Sequence, residues 1–257
     1  MAAAVFYVDP GVTPGADGTM TLTGDEARHA AQVSRVRVGE VLHLVDGCGQ
    51  RFEGEVAVVA RDSVVVRVDR TSVEPEPSPR IVVIQALAKG DRGERAVEAM
   101  TEVGVDVIVP WSAEHCVTRW VGDRADRGVA KWRSAARTSA KQARRARMPE
   151  VLYLQSTAEL EPLIRGAALA LCLDQSADQP LSSVEIPSAG DIVMIVGPEG
   201  GLSPAEHDRL AGFGAQPVLL GPTVLRTSTA GPVAAGVVLS RTPRWQAGGA
   251  HGAGVSG

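Results

Sequence analysis

The spacing of apolar positions changes character once along the chain. From Val5 to Val73 it forms short β-branched runs, "VFYVD", "EVLHLVDG", "RFEGEVAVVA" and "SVVVRVDR". They are broken by Asp-Gly and Gly-Gln steps that suit hairpins, so this part predicts a small, mainly antiparallel β domain. One segment inside it, "TGDEARHAAQVSRV", has helical spacing, with Thr23 or Asp25 placed to cap it. The alternating prolines of "VEPEPSPR" can continue neither a helix nor a central strand. Beyond them, apolar runs alternate with helical segments. "IVVIQAL", "VDVIVPW", "VLYLQ", "AALALCLD", "DIVMIVG" and "QPVLLG" read as apolar strands. Helices are expected over "RGERAVEAMTEVG", from about Arg124 to Arg147, over "TAELEPLIRG" and "SPAEHDRLAGFG", and near Thr227 to Leu239. This is the rhythm of an α/β domain with a parallel sheet covered by helices on both faces. The expected organisation is a β domain over 1–73, a Pro-rich linker over 74–80 and an α/β domain over 81–243. A Gly- and Ala-rich tail over 244–257 has no periodicity and is expected to be disordered.

Composition narrows the class without fixing it. With 44% hydrophobic and 22% charged residues, the 257-residue chain has an ordinary globular balance and room for one large domain or two smaller ones. Aromatics at 4% are too few for a nucleic-acid surface built mainly on stacking, which leaves phosphate contacts as the alternative. Cys48, Cys116 and Cys172 are odd in number and far apart, fitting neither a disulfide framework nor a zinc site, so a reducing cytoplasm is expected. The N-terminus has no basic n-region and "AALALCL" is too short to cross a bilayer, so no membrane association is expected. The five histidines show no ligand spacing, and no metal is expected. Trp111, Trp120 and Trp132 are expected in the core or a dimer interface rather than stacked on a base.

The candidate chemistry lies at the carboxyl ends of the last strands, where ligands bind in open parallel sheets. "VGPEGG" offers glycines for close backbone approach, Pro198 to stiffen the turn and Glu199 as a lone carboxylate. Ser203, Pro204, Ala205 and Glu206 match a capping box with Pro at the first helical position, which helix initiation alone explains. At the next strand end, "LLGPTVLRTSTAG" places Arg226 among small hydroxyl residues, a cation costly to bury without an anion nearby. Two such loops together suggest a pocket. Neither a P-loop nor an early G-x-G-x-x-G is present, which speaks against an NTPase or an ordinary dinucleotide enzyme.

The paired motifs "VGPEGGLSPAEHD" and "LLGPTVLRTSTA" resemble those of the bacterial 16S rRNA (uracil-N3)-methyltransferases, the RsmE-like members of the SPOUT superfamily. The likeness spans nearly the whole chain and includes "LAKGDRGERAVEAMTEVGVDVIVPW", "EHCVTRW" and "AKQARRARMPE". It implies a PUA-like or OB-like β-barrel followed by a methyltransferase domain with a C-terminal trefoil knot, and a cytoplasmic homodimer. The implied reaction is S-adenosylmethionine-dependent methylation of N3 of a specific uridine in 16S rRNA of the small ribosomal subunit. By the same resemblance S-adenosylmethionine lies against Gly197, Glu199, Gly200, Gly201, Leu219, Leu220, Gly221, Leu225, Thr227 and Ala230. Uracil N3 must lose a proton to become nucleophilic, so a cation or a base is needed. Arg226 is the candidate cation and Glu199 the candidate proton acceptor, with a local cap as the alternative role for Glu199. Many relatives carry Glu where this chain has Ser228, so no role of that acid carries over.

RNA contacts are expected from the cation-rich "KWRSAARTSAKQARRARMPE", where Arg133, Arg137, Lys141 and Arg144 or Arg145 recur at or near i+4 to give one basic helical face, with Gln142 and Arg147 as further candidates. Lys89, Arg92 and Arg119 extend the set. The net charge of −4 makes such a concentration of cations the more pointed. Two other readings stay open at this level. One is a SPOUT enzyme acting on another base or a 2′-OH of rRNA or tRNA; the other is an RNA-binding assembly factor without catalysis.

Overall fold

A computed structural model of the chain describes residues 3–246. In chain order the elements are β1 (Ala4–Tyr7), β2 (Thr19–Thr23), α1 (Gly24–Arg28), β3 (Val41–Val45), β4 (Gln50–Val59), β5 (Ser63–Val73) and β6 (Arg80–Ala86). Then come α2 (Arg92–Val103), β7 (Val107–Ser112), α3 (Asp123–Gln142), β8 (Glu150–Val151), β9 (Gln155–Ser156), α4 (Glu161–Gly166) and β10 (Leu169–Leu173). The chain continues through β11 (Asp191–Val196), α5 (Pro204–Phe213), β12 (Gln216–Val218), α6 (Thr227–Leu239) and α7 (Pro243–Gln246). The described residues divide into two compact units, one of residues 3–76 with 140–148, the other of 77–139 with 149–246.

The first unit is a five-stranded sheet in the order β1-β3-β4-β5-β2. Its pairings are antiparallel except β1 with β3, which run parallel. Strand β2, "TMTLT", escapes the sequence reading because alternating threonines carry only two large apolar residues, Met20 and Leu22, yet both are buried in the core. The expected helix is present as α1 followed by a π-helical turn, His29–Val33; Thr23 occupies the N-cap position but its side chain accepts no capping bond. Phe6, Leu22, Leu42, Leu44, Phe52, Val56, Val64 and Val66 build the main core. A smaller cluster joins Val5, Tyr7 and Val45 to Ala140, Ala146 and Met148, so the segment 140–148 is part of this unit. This differs from the expected division, in which that segment belongs to the α/β domain.

The same segment corrects the expected helix from Arg124 to Arg147. α3 stops at Gln142, and Arg144 follows with a left-handed backbone, φ +56°. The main chain beyond is held by the first unit instead: Gly49 N donates to Ala146 O (3.1 Å) and Met148 N to Gly47 O (2.9 Å).

The second unit is a mixed α/β body around a seven-stranded parallel sheet in the order β12-β10-β11-β6-β7-β8, with β9 paired to β7. β6 and β11 are central and almost wholly apolar, as strands covered on both faces must be. α2 buries Ala96, Val97, Met100 and Thr101 on one face and ends at Gly104, whose φ of +113° is a helix-terminating conformation that favours glycine. α6 packs on α2, β6 and β11, while α4 packs on α5 and β11. The apolar run "VLYLQ" forms no single strand; only the two-residue β8 and β9 at its ends pair with β7. The tail expected to be disordered from Arg244 opens with the short helix α7, and its residues 247–257 lie outside the described residues.

Candidate active site

Because β10, β11 and β12 are parallel neighbours in register, Leu173 opposite Val196 and Val218, their carboxyl ends share one edge. The loops leaving them bound a cavity of about 1300 Å³. That exceeds the roughly 300–1,000 Å³ typical of a single small-ligand site and leaves room for a second group beside the first. Gly197, Glu199, Gly200, Gly201, Leu219, Leu220, Gly221, Leu225, Thr227 and Ala230, with Arg226, all line it. Leu173, Val196 and Leu202 add apolar wall, and Asp174, Ser176 and His207 a polar end.

Local chemistry fixes these loops. The buried Thr227, first residue of α6, donates its hydroxyl to Gly197 O (3.2 Å), tying the two glycine-bearing loops together. Gly201 closes the turn with φ +72°, its N–H donating to Pro198 O (3.0 Å). The His115 Nδ1 lies 3.1 Å from Gly201 O; a carbonyl only accepts, so that nitrogen carries the proton. α5 starts with the expected capping box of Ser203 and Glu206, with Pro204 in its first turn. The buried Glu206 does more than cap: its Oε1 also accepts from Glu114 N and Thr157 Oγ1, both at 2.9 Å, binding α5 to the loop after β7 and to the turn after β9.

Three charged groups set the electrostatics. Glu199 Oε1 accepts from Lys89 N (3.2 Å) and the Arg92 guanidinium (3.3 Å). Partial burial works against its charge, but bonds from its own amide, from Lys89 N–H and from Arg92 outweigh it and hold the carboxyl below the usual range. Asp174 is alike: burial opposes its charge, while the hydroxyl and amide of Ser176 and the neighbouring His207, 3.2 Å away, lower it further than burial raises it. Arg226, exposed at the N-cap of the 13-residue α6, has no side-chain capping bond. Its charge adds to the partial positive charge of the helix start, which makes this corner of the cavity favourable to an anion.

Of the cations expected to meet RNA, several are engaged within the protein. Lys141 pairs with Glu26 (2.8 Å) and lies over the Phe6 ring. Arg147 donates to the carbonyls of Glu74 and Pro75, and Arg119 to those of Ala113 and Glu114. Arg133 donates to Val151 O and stacks over Tyr153. Lys89, Gln142 and Arg144 have exposed positions, while Arg137 is exposed and Arg145 half-buried. The expected helical face is shorter than its motif, since Arg144 and Arg145 follow the end of α3. Trp111 and Trp132 are fully buried, and Trp120 meets Trp132 edge-on at 5.3 Å. Among the described residues no group of three or more potential ligands could hold a metal, and no helix is long and apolar enough to cross a membrane.

Asp174, Ser176 and His207 at the cavity, and His115 against its Gly201 turn, are absent from the sequence-level candidates. Asp174 and Ser176 were findable, because they follow β10 at the same carboxyl edge as the loops after β11 and β12. His115 and His207 carry no such signal, since lone histidines are usually packing residues.

Comparison with known proteins bears on both units. A model described as an RNA methyltransferase domain matches residues 74–239, and one described as an RNA methyltransferase PUA domain matches residues 22–69. Ribosomal RNA small subunit methyltransferase E of Mycobacterium tuberculosis is 41% identical over 251 residues, 96% of this chain and 95% of that protein. Its counterpart in Bacillus subtilis is 28% identical over 222 residues, 82% of this chain and 86% of that protein. Among solved structures, a methyltransferase of Legionella pneumophila in complex with S-adenosylmethionine matches with a TM-score of 0.82 and 27% identity, covering 94% of this chain and 99% of its own. Ribosomal RNA small subunit methyltransferase E of Neisseria gonorrhoeae, bound to S-adenosylmethionine, matches with a TM-score of 0.81 and 26% identity, covering 94% and 98%.

Proposed function

Since this chain belongs to the ribosomal RNA small subunit methyltransferase E family, we propose that it methylates N3 of a specific uridine in 16S rRNA with S-adenosylmethionine as donor, acting as a homodimer. The observation that carries the reading is the cavity at the shared edge of β10, β11 and β12, whose two glycine-bearing loops the Thr227–Gly197 bond ties together.

The cavity's lining fits the donor by its chemistry. Leu220 and Leu225 suit the faces of an adenine, backbone groups of Gly197 to Gly201 and Leu219 to Gly221 its polar edge, and the carboxylate of Asp174 a ribose diol or an ammonium. Bound there, S-adenosylmethionine supplies an electrophilic methyl group on a sulfonium. The residues of the chain have the remaining tasks of orientation, exclusion of water and charge stabilisation. Uracil N3 carries a proton at neutral pH; its transfer to solvent leaves negative charge on O2 and O4, and methyl transfer to N3 would release S-adenosylhomocysteine. Arg226 and the first amides of α6 stabilise that charge as it forms, which lowers the barrier without a covalent step. In a base pair N3 is occupied, so the uridine is taken unstacked or flipped.

Calorimetry with S-adenosylmethionine and mass spectrometry of small-subunit rRNA test the two halves. Binding in the low micromolar range or tighter and loss of N3-methyluridine on deletion of the gene are expected. Undiminished N3-methyluridine would sink the substrate half, and absence of binding the enzymatic half.

A further inference from the structure

Three loops meet around the turn from Gly197 to Gly201. Glu199 reaches the loop between β6 and α2 and the start of α2, accepting from Lys89 N at 3.2 Å and Arg92 Nη1 at 3.3 Å. One residue earlier, Ala88 O accepts from Thr118 Oγ1 at 2.9 Å, and Thr118 belongs to the loop after β7. That loop returns to the turn through His115, 3.1 Å from Gly201 O. The hydrogen bonds therefore close a ring: cavity loop to the Lys89–Arg92 loop, to the 115–118 loop, and back.

Glu199 is poorly placed to take a proton from substrate. A general base works best with a pKa near the operating pH, whereas the donors on Oε1 favour the charged carboxylate. Arg92 has donors to spare. Its side chain is 41% exposed with one nitrogen on Glu199, so the rest of the guanidinium fork can meet a phosphate. Lys89, beside it, is exposed as well.

We propose that Glu199 is a positioning residue that couples two binding steps: it holds the Lys89–Arg92 loop, which meets an RNA phosphate, to the Gly197–Gly201 turn that bounds the methyl-donor cavity, so that filling either site strengthens the other. The proposal rests on the function proposed above. The coupling is reciprocal by thermodynamic necessity, so it is readable from the donor side alone.

The first measurement needs no ligand. Hydrogen exchange at the Lys89 amide is expected to quicken roughly tenfold or more in Glu199→Ala, because the acceptor that protects it is gone. Next, calorimetry with S-adenosylhomocysteine, which cannot turn over, compares native protein with Glu199→Ala, Arg92→Ala and the double variant, with and without naked 16S rRNA. Each single variant is expected to weaken binding about five- to tenfold and to lose the RNA-induced tightening, and the double variant to be no worse than the weaker single. Glu199→Gln, whose amide oxygen can accept both bonds, is expected to recover most of the affinity and to leave the acid limb of the kcat pH profile where the native enzyme has it. A Glu199→Gln protein with native affinity but turnover down a hundredfold or more would identify a proton acceptor and overturn the proposal. So would additive single variants. Native protein that binds no S-adenosylhomocysteine would overturn the methyl-donor reading itself; the Lys89 exchange rate then decides the clamp, an unchanged rate overturning it.

Discussion

A guanidinium at the mouth of a cavity walled by leucines and glycines, with a helix starting behind it, can act on charge that develops during a reaction without being tied up beforehand. Arg226 has that position: exposed, at the N-cap of α6, and lining the cavity. Arg226→Ala is expected to lower kcat/KM by about 10²–10³, the scale for one lost oxyanion stabiliser, with a melting temperature near the native one because no buried contact is removed. Activity within a few-fold of native would take Arg226 out of the mechanism. Asp174 gives a pH-dependent counterpart. Its carboxyl is depressed despite burial, chiefly by Ser176 and then by His207, so its contribution to stability is complete above the ordinary aspartate value of about 3.9 and disappears as acid takes the pH through the lower folded value. Native melting temperature should therefore fall from pH 5 to pH 3 more steeply than that of Asp174→Asn, and equal slopes would refute the assignment. At this scale the sequence carried the glycines, Glu199 and Arg226 because two rare motifs stand at strand ends. It did not carry His115 or His207, whose roles exist only once distant loops meet.

The end of α3 shows what tertiary contact adds to an element. "AKQARRARM" is composed of good helix formers up to Met148, so propensity gives no stop signal, yet the helix ends at Gln142. Bonds from Gly49 N to Ala146 O, from Met148 N to Gly47 O and from the Tyr7 hydroxyl to Arg145 O compete for the backbone and win. The cost is visible at Arg144, held at φ +56°, where a side chain is disfavoured by about 1–2 kcal/mol. If Arg144 is kept for a phosphate contact, Arg144→Gly separates the two effects. Relief of the left-handed backbone, offset by glycine's entropy, should leave stability equal or up to about 1 kcal/mol higher, while RNA affinity falls and the salt slope of binding shrinks by about one. Denaturant unfolding and salt titration of RNA binding measure the two; unchanged affinity and slope would remove Arg144 from the interface. By contrast α6 was legible near its observed bounds, Thr227–Leu239, because a glycine- and proline-bearing loop precedes a segment rich in small apolar residues.

For the whole chain, the change of hydrophobic rhythm near Val73 marks where one kind of structure gives way to another, since period-two alternation and the strand-helix cycle bury different faces. What pattern cannot display is a return of the chain. Nothing in "AKQARRARM" announces that it completes a core with Val5, Tyr7 and Val45, from strands near the start of the chain. A trefoil knot, implied only by family resemblance, is invisible to periodicity for the same reason: threading leaves no spacing. The returning segment has a direct consequence for any attempt to isolate the β-rich unit. A fragment of residues 1–79, cut at the proline-rich stretch, would keep all five strands but lose Ala140 and Ala146 against Val5, Tyr7 and Val45. It would also lose the Lys141 partner of Glu26 and the Arg147 donors to Glu74 and Pro75. Uncovered apolar surface and carbonyls without donors both favour the unfolded chain. The fragment is therefore expected to unfold at lower urea, with a broader transition than this unit shows within the full protein. A peptide of residues 138–150 added in trans should raise its midpoint in proportion to the logarithm of peptide concentration, as a ligand of the folded state must. A fragment as stable as the unit in the intact chain and indifferent to the peptide would show that the segment merely lies against a unit already complete.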